Sequence, residues 1–183
     1  MKKIVFTFLC VLLIFNSGCK KKEEDTKVYN SNFVENNAAN IIKELYINSN
    51  FSAMRTYNKN SPNSEDVLRN YYGIENPDIF SDFSIMISHN GGFNEIAVFI
   101  MAEGFSQPAF SKAVEAVEER YNQLCQGYTL SAQYEDSFND DFSKSVIVYD
   151  NAIVLCFSGD YTNETVFGVL DGVIADSSSK NDE

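Results

Sequence analysis

The residues best suited to chemistry are few, and they set the first limits on function. His89 is the only histidine in the 183 residues, and it stands before an Asn-Gly-Gly turn. One histidine cannot supply a multi-histidine metal site, and a Ser-His-Asp triad would have to recruit it from an exposed turn. We therefore expect His89 to be an ordinary turn residue. The sequence contains no second histidine that could act as a catalytic base.

Acidic residues are abundant, but their spacing does not match a metal-binding loop. The clusters are Glu23-Glu24-Asp25, Glu135-Asp136 and Asp140-Asp141. A calcium loop alternates its ligands, has an internal glycine and ends in a glutamate, and none of the clusters has this arrangement. Gly91-Gly92 lacks the spacing and the following lysine of a phosphate-binding loop. We expect solvated acids, with no metal and no cofactor.

Cys125 and Cys156 are the only cysteines that follow residue 19. Cys125 is predicted near the end of a helix and Cys156 within a strand, so the two could meet where the helix packs on the sheet. Exported proteins form disulfides, whereas two buried thiols are also compatible with the pattern. Spacing does not determine connectivity, so both alternatives remain open.

Glu95 and Arg120 are a charged pair that the predicted elements bring together. The strand that begins at Glu95 rises roughly 25 Å to Ala102. The following helix must return antiparallel at about 1.5 Å per residue, and it reaches the level of Glu95 near Arg120. The same helical row contains Ala113, Val117 and Leu124. We expect a semi-buried structural ion pair, and a charged-ligand site built from the same two residues is the alternative.

Hydrophobic periodicity predicts the elements that position these side chains. Helical spacing predicts helices at 37–47, 64–73, 108–126 and 166–174, and apolar runs predict strands at 83–88, 95–102, 145–149 and 152–157. Gly73 and Gly127 are predicted to end the second and third helices. The order α-α-β-β-α-β-β-α indicates an α+β fold, with helices packed on an antiparallel sheet of about four strands.

The N-terminal residues have the layout of an export signal. Lys2 and Lys3 precede an apolar block at 4–15 that is too short to span a bilayer comfortably. The following Ser17-Gly18-Cys19 resembles a bacterial lipoprotein signal, in which the cysteine is lipidated and becomes the first residue; Asn16 stands where that signal usually has a leucine-like residue. An uncleaved membrane anchor, with Cys19 as a bystander, is the alternative.

Composition then divides the chain. Residues 1–18 are assigned to the signal peptide, 19–36 to a flexible tether, 37–176 to a single α+β globular domain, and 177–183 to a disordered tail. The formal net charge is −12, and removal of the signal takes away two lysines and no acid. Such an acidic chain is a poor partner for nucleic acid, so we expect none.

Several segments carry a resemblance to a known family. LRNYYGI, NEIAVFIMAE, VEERYNQ and VIVYDNAIVLCF are similar to the lipoprotein family called domain of unknown function 4358. The similarity extends over roughly residues 64–157. It implies a lipoprotein signal joined to one small domain, and it implies no particular activity.

Taken together, these patterns predict a lipid-anchored protein on the extracytoplasmic face of the cell membrane. We expect a binding, assembly or accessory module, with an envelope protein as its partner, and no enzymatic activity. A carboxylate-dependent envelope enzyme or a small-ligand-binding lipoprotein is the alternative. A deep pocket with two facing acids in unlike environments would favour the enzyme, whereas a flat patch of exposed phenylalanine or tyrosine would favour a partner protein.

Overall fold

The computed structural model describes residues 26–47, 54–89, 92–132, 143–158 and 163–178. Outside these residues lie the signal segment 1–18, the expected lipid-bearing Cys19, the three acidic clusters and residues 179–183 of the predicted tail. Residues 177 and 178 were also assigned to that tail, which is wrong because they are the last two residues of the C-terminal helix. The described elements are, in chain order, β1 Thr26–Tyr29, α1 Ala38–Ile47, β2 Met54–Asn58, α2 Ser64–Tyr72, β3 Phe80–Ser88, β4 Glu95–Met101, α3 Gln107–Ala132, β5 Ser143–Val148, β6 Ala152–Ser158 and α4 Asn163–Ser178. A short 3₁₀ turn, Pro77–Ile79, precedes β3.

The strands of the described residues form one mixed sheet in the order β1-β5-β6-β4-β3-β2. β1 runs parallel to β5, and the other neighbouring strands are antiparallel. The α+β class expected from the sequence is confirmed. The finer expectation of about four strands, all antiparallel, is wrong because a strand is added at each edge of the sheet.

The two edge strands were missed because their sequences lack a strong strand pattern. β1 reads TKVY and β2 reads MRTYN, and each pairs with a neighbour on one side only. Short, charged edge strands are common because they discourage pairing with other chains. β1 also corrects the predicted tether at 19–36, since residues 26–29 belong to the sheet and Val34 is buried in the core.

Both faces of the sheet are covered by helices. Every residue of β4 and β6 is buried, as their continuous apolar sequences predict. α2 and α3 pack on one face, and α1 and α4 pack on the other. The strand residues expected in the core are all buried, namely Ile96, Val98, Ile100, Val148, Val154 and Cys156. Val148 faces α2 and α3, whereas the other five face α1 and α4.

The two glycines predicted to end helices behave differently. Gly73 ends α2 in the left-handed conformation, with φ of 65°, and its N–H bonds to the carbonyl of Arg69. Gly127 lies inside α3, which continues to Ala132, so the predicted helix end at that position is wrong. A Cβ atom at Gly127 would lie 2.8 Å from the ring of Phe93. Gly127 therefore allows α3 to pack closely against Phe93. The prediction of a helix end had relied only on the conformational flexibility of glycine.

Candidate functional site

The ion pair between Glu95 and Arg120 is present, with the burial expected from the sequence. Nε of Arg120 donates to both carboxylate oxygens of Glu95 at 3.1 Å, and Nη2 lies 2.5 Å from Oε2. The Glu95 side chain is 1% exposed and that of Arg120 is 14% exposed. A carboxylate this deeply buried requires a charged partner, and the contact from α3 supplies it.

Two tyrosines of α2 complete the surroundings of this pair. The hydroxyl of Tyr72 donates to Oε1 of Glu95 at 2.5 Å, and the guanidinium carbon of Arg120 lies 4.8 Å from the ring centre of Tyr71. Burial, the charge of Glu95 and the hydrogen bond to it raise the pKa of Tyr72 well above 10.0. Burial alone would lower the pKa of Arg120, but the hydrogen bond and charge of Glu95 outweigh it and raise that pKa.

The position of the pair favours a structural role over a ligand site. Glu95 begins β4, Arg120 lies midway along α3, and Tyr72 ends α2, so one cluster ties together three elements. Neither of the two surface depressions described below is lined by these residues. The sequence predicted the pair itself, but Tyr72 was not foreseen as its third member.

The disulfide considered between Cys125 and Cys156 is not formed, and both residues are thiols. Cys156 packs among residues that face α1 and α4, whereas Cys125 packs against the core on the α2 and α3 face. The sheet therefore lies between the two sulfur atoms. Sequence spacing could not reveal this because it does not say which face of a strand points toward a given helix.

His89 lies where the sequence placed it, exposed at the end of β3. Its Nε2 atom is 3.5 Å from a guanidinium nitrogen of Arg55 on the neighbouring edge strand. It lines neither of the two depressions. The geometry offers His89 no contact with any candidate site.

A cavity of about 580 Å³ lies at one end of the sheet. Its apolar lining includes Phe33, Ile100, Met101 and Phe105, and its carboxylates are Glu35, Asp82 and Glu103. Phe33 is 61% exposed beside it. None of these residues was singled out as functional from the sequence, because they come from separate segments and form no motif.

Two polar side chains hold the walls of this cavity in place. Asn151 is 3% exposed; its Oδ1 accepts from the Val34 N–H at 2.7 Å, and its Nδ2 donates to the Val34 carbonyl at 2.9 Å. Oδ2 of Asp82 accepts from the first N–H of α1, that of Ala38, at 2.9 Å. The segment before α1 is thus fastened both to the β5–β6 turn and to β3.

A second depression, of about 360 Å³, lies between β1 and α3. Tyr29, which is 70% exposed, stands beside Phe110 and Val114, and two carboxylates of α3, Glu115 and Glu118, complete the lining. The stretch 29–33 runs from this groove to the cavity, because Tyr29 lines the former and Phe33 the latter. Phe105 of the cavity also packs on Phe110 of the groove, with ring centres 5.4 Å apart, so the two depressions are neighbours.

The described part of the chain contains no cluster of metal-binding side chains and no membrane-spanning helix. No group of three or more histidine, cysteine or acidic side chains is arranged there to hold a metal ion. Within the same residues, no helix combines the length and the apolar character needed to cross a membrane.

Comparison with protein-family models, with curated proteins and with solved structures gives no match.

Proposed function

We propose that this protein is a lipid-anchored, extracytoplasmic binding module that engages an envelope protein through the cavity at the end of its sheet. The observation that carries the proposal is the cavity of about 580 Å³, whose apolar lining includes the exposed Phe33. A volume in this range suits a ligand group of drug size or a few side chains of a partner. An exposed aromatic residue beside it is typical of a protein-binding surface.

The direction of β1 supports this arrangement. Thr26 pairs with Ser145 near one end of the sheet, and the chain then runs toward the cavity, where Phe33 lies. Cys19 precedes Thr26 by seven residues, so a lipid on Cys19 would hold Thr26 within about 25 Å of the membrane, at most. In the proposed orientation the cavity end faces away from the membrane.

The cavity contains three carboxylates, Glu35, Asp82 and Glu103, which are the feature that the alternative, a carboxylate-dependent enzyme, could use. Asp82 is engaged with the backbone of α1, and the described residues that line the cavity include no histidine, cysteine or lysine. A binding role needs only shape and charge, both of which are present. We also propose that the chain is related to the family called domain of unknown function 4358, which joins a lipoprotein signal to one small domain.

Site-specific photo-crosslinking in intact cells tests this proposal. A photoreactive residue at position 33 should give a discrete crosslinked product in the membrane fraction. The same residue at position 130 is the matched control, because Leu130 is 59% exposed but lines neither depression. Equal products from both positions, or none from position 33, would contradict the proposed binding site.

The anchor is tested in the same cells by the substitution Cys19→Ala. The variant should leave the membrane fraction or accumulate as an unprocessed precursor. A correctly trimmed Cys19→Ala variant that stays on the membrane would show that the anchor is wrongly assigned.

A further inference from the structure

The occupant of the cavity is suggested by the charges around it. The described residues that line the cavity include three carboxylates, and those that line the groove beside Tyr29 include two; neither lining contains a lysine, arginine or histidine. The nearby ammonium group of Lys59 is held by the carbonyl oxygens of Phe80 and Ser81, at 2.8 and 3.4 Å. These neutral carbonyls leave the positive charge of Lys59 in place, but the three carboxylates of the cavity exceed it, so the rim is net negative and favours a positively charged group.

An anionic ligand is disfavoured even though a helix begins at the cavity. The N-terminus of a helix attracts anions through its unpaired N–H groups. At α1 two of these groups are already engaged: the Ala38 N–H donates to Asp82, and the Asn40 N–H donates to Oδ1 of Asn37 at 2.8 Å. The negative charge of Asp82 also opposes the positive end of the helix dipole.

The shape of the surface favours an extended segment. The cavity and the groove meet where Phe105 packs on Phe110, and they contribute the exposed aromatic side chains Phe33 and Tyr29, respectively. An extended peptide advances about 3.3 Å per residue and turns alternate side chains to opposite sides. A segment of several residues could then place apolar side chains on the aromatic lining while its basic side chains meet the acidic rim.

We propose that the cavity and the adjoining groove bind an extended segment of a partner protein in which arginine or lysine residues alternate with aromatic or aliphatic ones. This inference rests on the proposed binding function and names the chemistry of the partner. The apolar side chains provide most of the buried area, and the carboxylates select for positive charge.

Fluorescence anisotropy with the full lipidated protein in a neutral detergent tests the inference. The probe is an eight-residue labelled peptide of alternating phenylalanine and arginine, and the comparison peptides carry glutamine or glutamate in place of arginine. We expect the glutamine peptide to bind about tenfold more weakly than the arginine peptide, and the glutamate peptide more weakly still. Raising the salt concentration should reduce this preference.

A matched pair of variants separates a local site from general acidity. Glu103→Gln/Glu115→Gln, which changes one carboxylate of the cavity and one of the groove, should weaken binding of the arginine peptide about three- to tenfold and leave the glutamine peptide unchanged. Glu65→Gln/Glu75→Gln removes the same charge from residues that line neither depression and should have no effect. Asp82 is left intact because it holds α1.

Each unfavourable outcome has a definite meaning. An equal loss of affinity in both double variants, or equal binding of the arginine and glutamine peptides, overturns the basic-segment inference. Failure of every peptide to bind, with crosslinking at position 33 retained in cells, also overturns it and leaves the binding function standing. Loss of that crosslinking removes the proposed function as well.

Discussion

Replacement of Arg120 by methionine is expected to destabilise the protein by about 3–5 kcal/mol, because it leaves the Glu95 carboxylate buried without a positive charge. This loss of stability is at the upper end for ion pairs, because Glu95 is 1% exposed and three contacts of 2.5–3.1 Å join the two side chains. Methionine retains an apolar stem of similar length, so the packing of α3 should change little. Equilibrium unfolding in guanidinium chloride measures the difference.

Arg69 provides the matched control on α2. It pairs with Asp66 and Glu75, but its side chain is 46% exposed, so Arg69→Met should cost no more than about 1 kcal/mol. The contrast between the two substitutions isolates the effect of burial from that of losing an arginine. Similar costs at both positions would show that the Glu95–Arg120 pair is accessible to water and energetically unimportant.

Combined substitutions test whether the cluster acts as one unit. Glu95→Leu/Arg120→Met should cost less than Arg120→Met alone, because no buried charge remains. The hydroxyl of Tyr72 then loses its acceptor, which costs about 1–3 kcal/mol, and adding Tyr72→Phe should recover most of this loss. Strictly additive costs for the three substitutions would refute the reasoning.

Three further predictions concern other parts of the structure. Asn151→Ala removes both hydrogen bonds to the Val34 backbone and should lower the free energy of unfolding by about 2–4 kcal/mol. Hydrogen exchange measured by mass spectrometry should become faster at the amides of residues 33–37, and unchanged exchange would contradict this prediction. The pKa of Tyr72 is raised in the folded state, so the stability that its protonated hydroxyl contributes is complete below about pH 10 and is lost as the pH rises further. In urea unfolding, the stability of the Tyr72→Phe variant should therefore depend less on pH above about 10 than the stability of the parent protein. Alkylation of the unfolded, unreduced protein should modify both Cys125 and Cys156, and protection of the two from alkylation would indicate a disulfide that the fold excludes.

The success of the sequence predictions followed the strength of the hydrophobic pattern. The inner strands β3, β4, β5 and β6 and all four helices in the described residues were predicted, because each buries a continuous or periodic apolar set. β1 and β2 were missed because an edge strand gains its order from one neighbour and can remain polar. The end of α3 was misplaced because Gly127 accommodates the ring of Phe93.

In the candidate site, too, features on regular elements were predictable from the sequence and features assembled from separate segments were not. The Glu95–Arg120 pair was predictable because both residues lie on regular elements, whose rise per residue sets their relative height. The cavity was not predictable, since its lining comes from the segment before α1, the start of β3, the end of β4 with its following loop, and the β5–β6 turn. No local sequence pattern indicates that these four segments meet at the same end of the sheet.

The amino-acid sequence by itself determined the acidic character of the chain, its α+β class and the inner strands and helices, because these depend on composition and on local hydrophobic period. Tertiary structure alone decided the parallel docking of β1 on β5, the assignment of Cys125 and Cys156 to opposite faces, and the recruitment of Tyr72 to the buried ion pair. Tertiary structure alone also assembled the acidic cavity. These features depend on which distant segments become neighbours in the fold. The packing of the whole core determines those neighbours, because no short stretch of sequence contains the contacts that stabilise them.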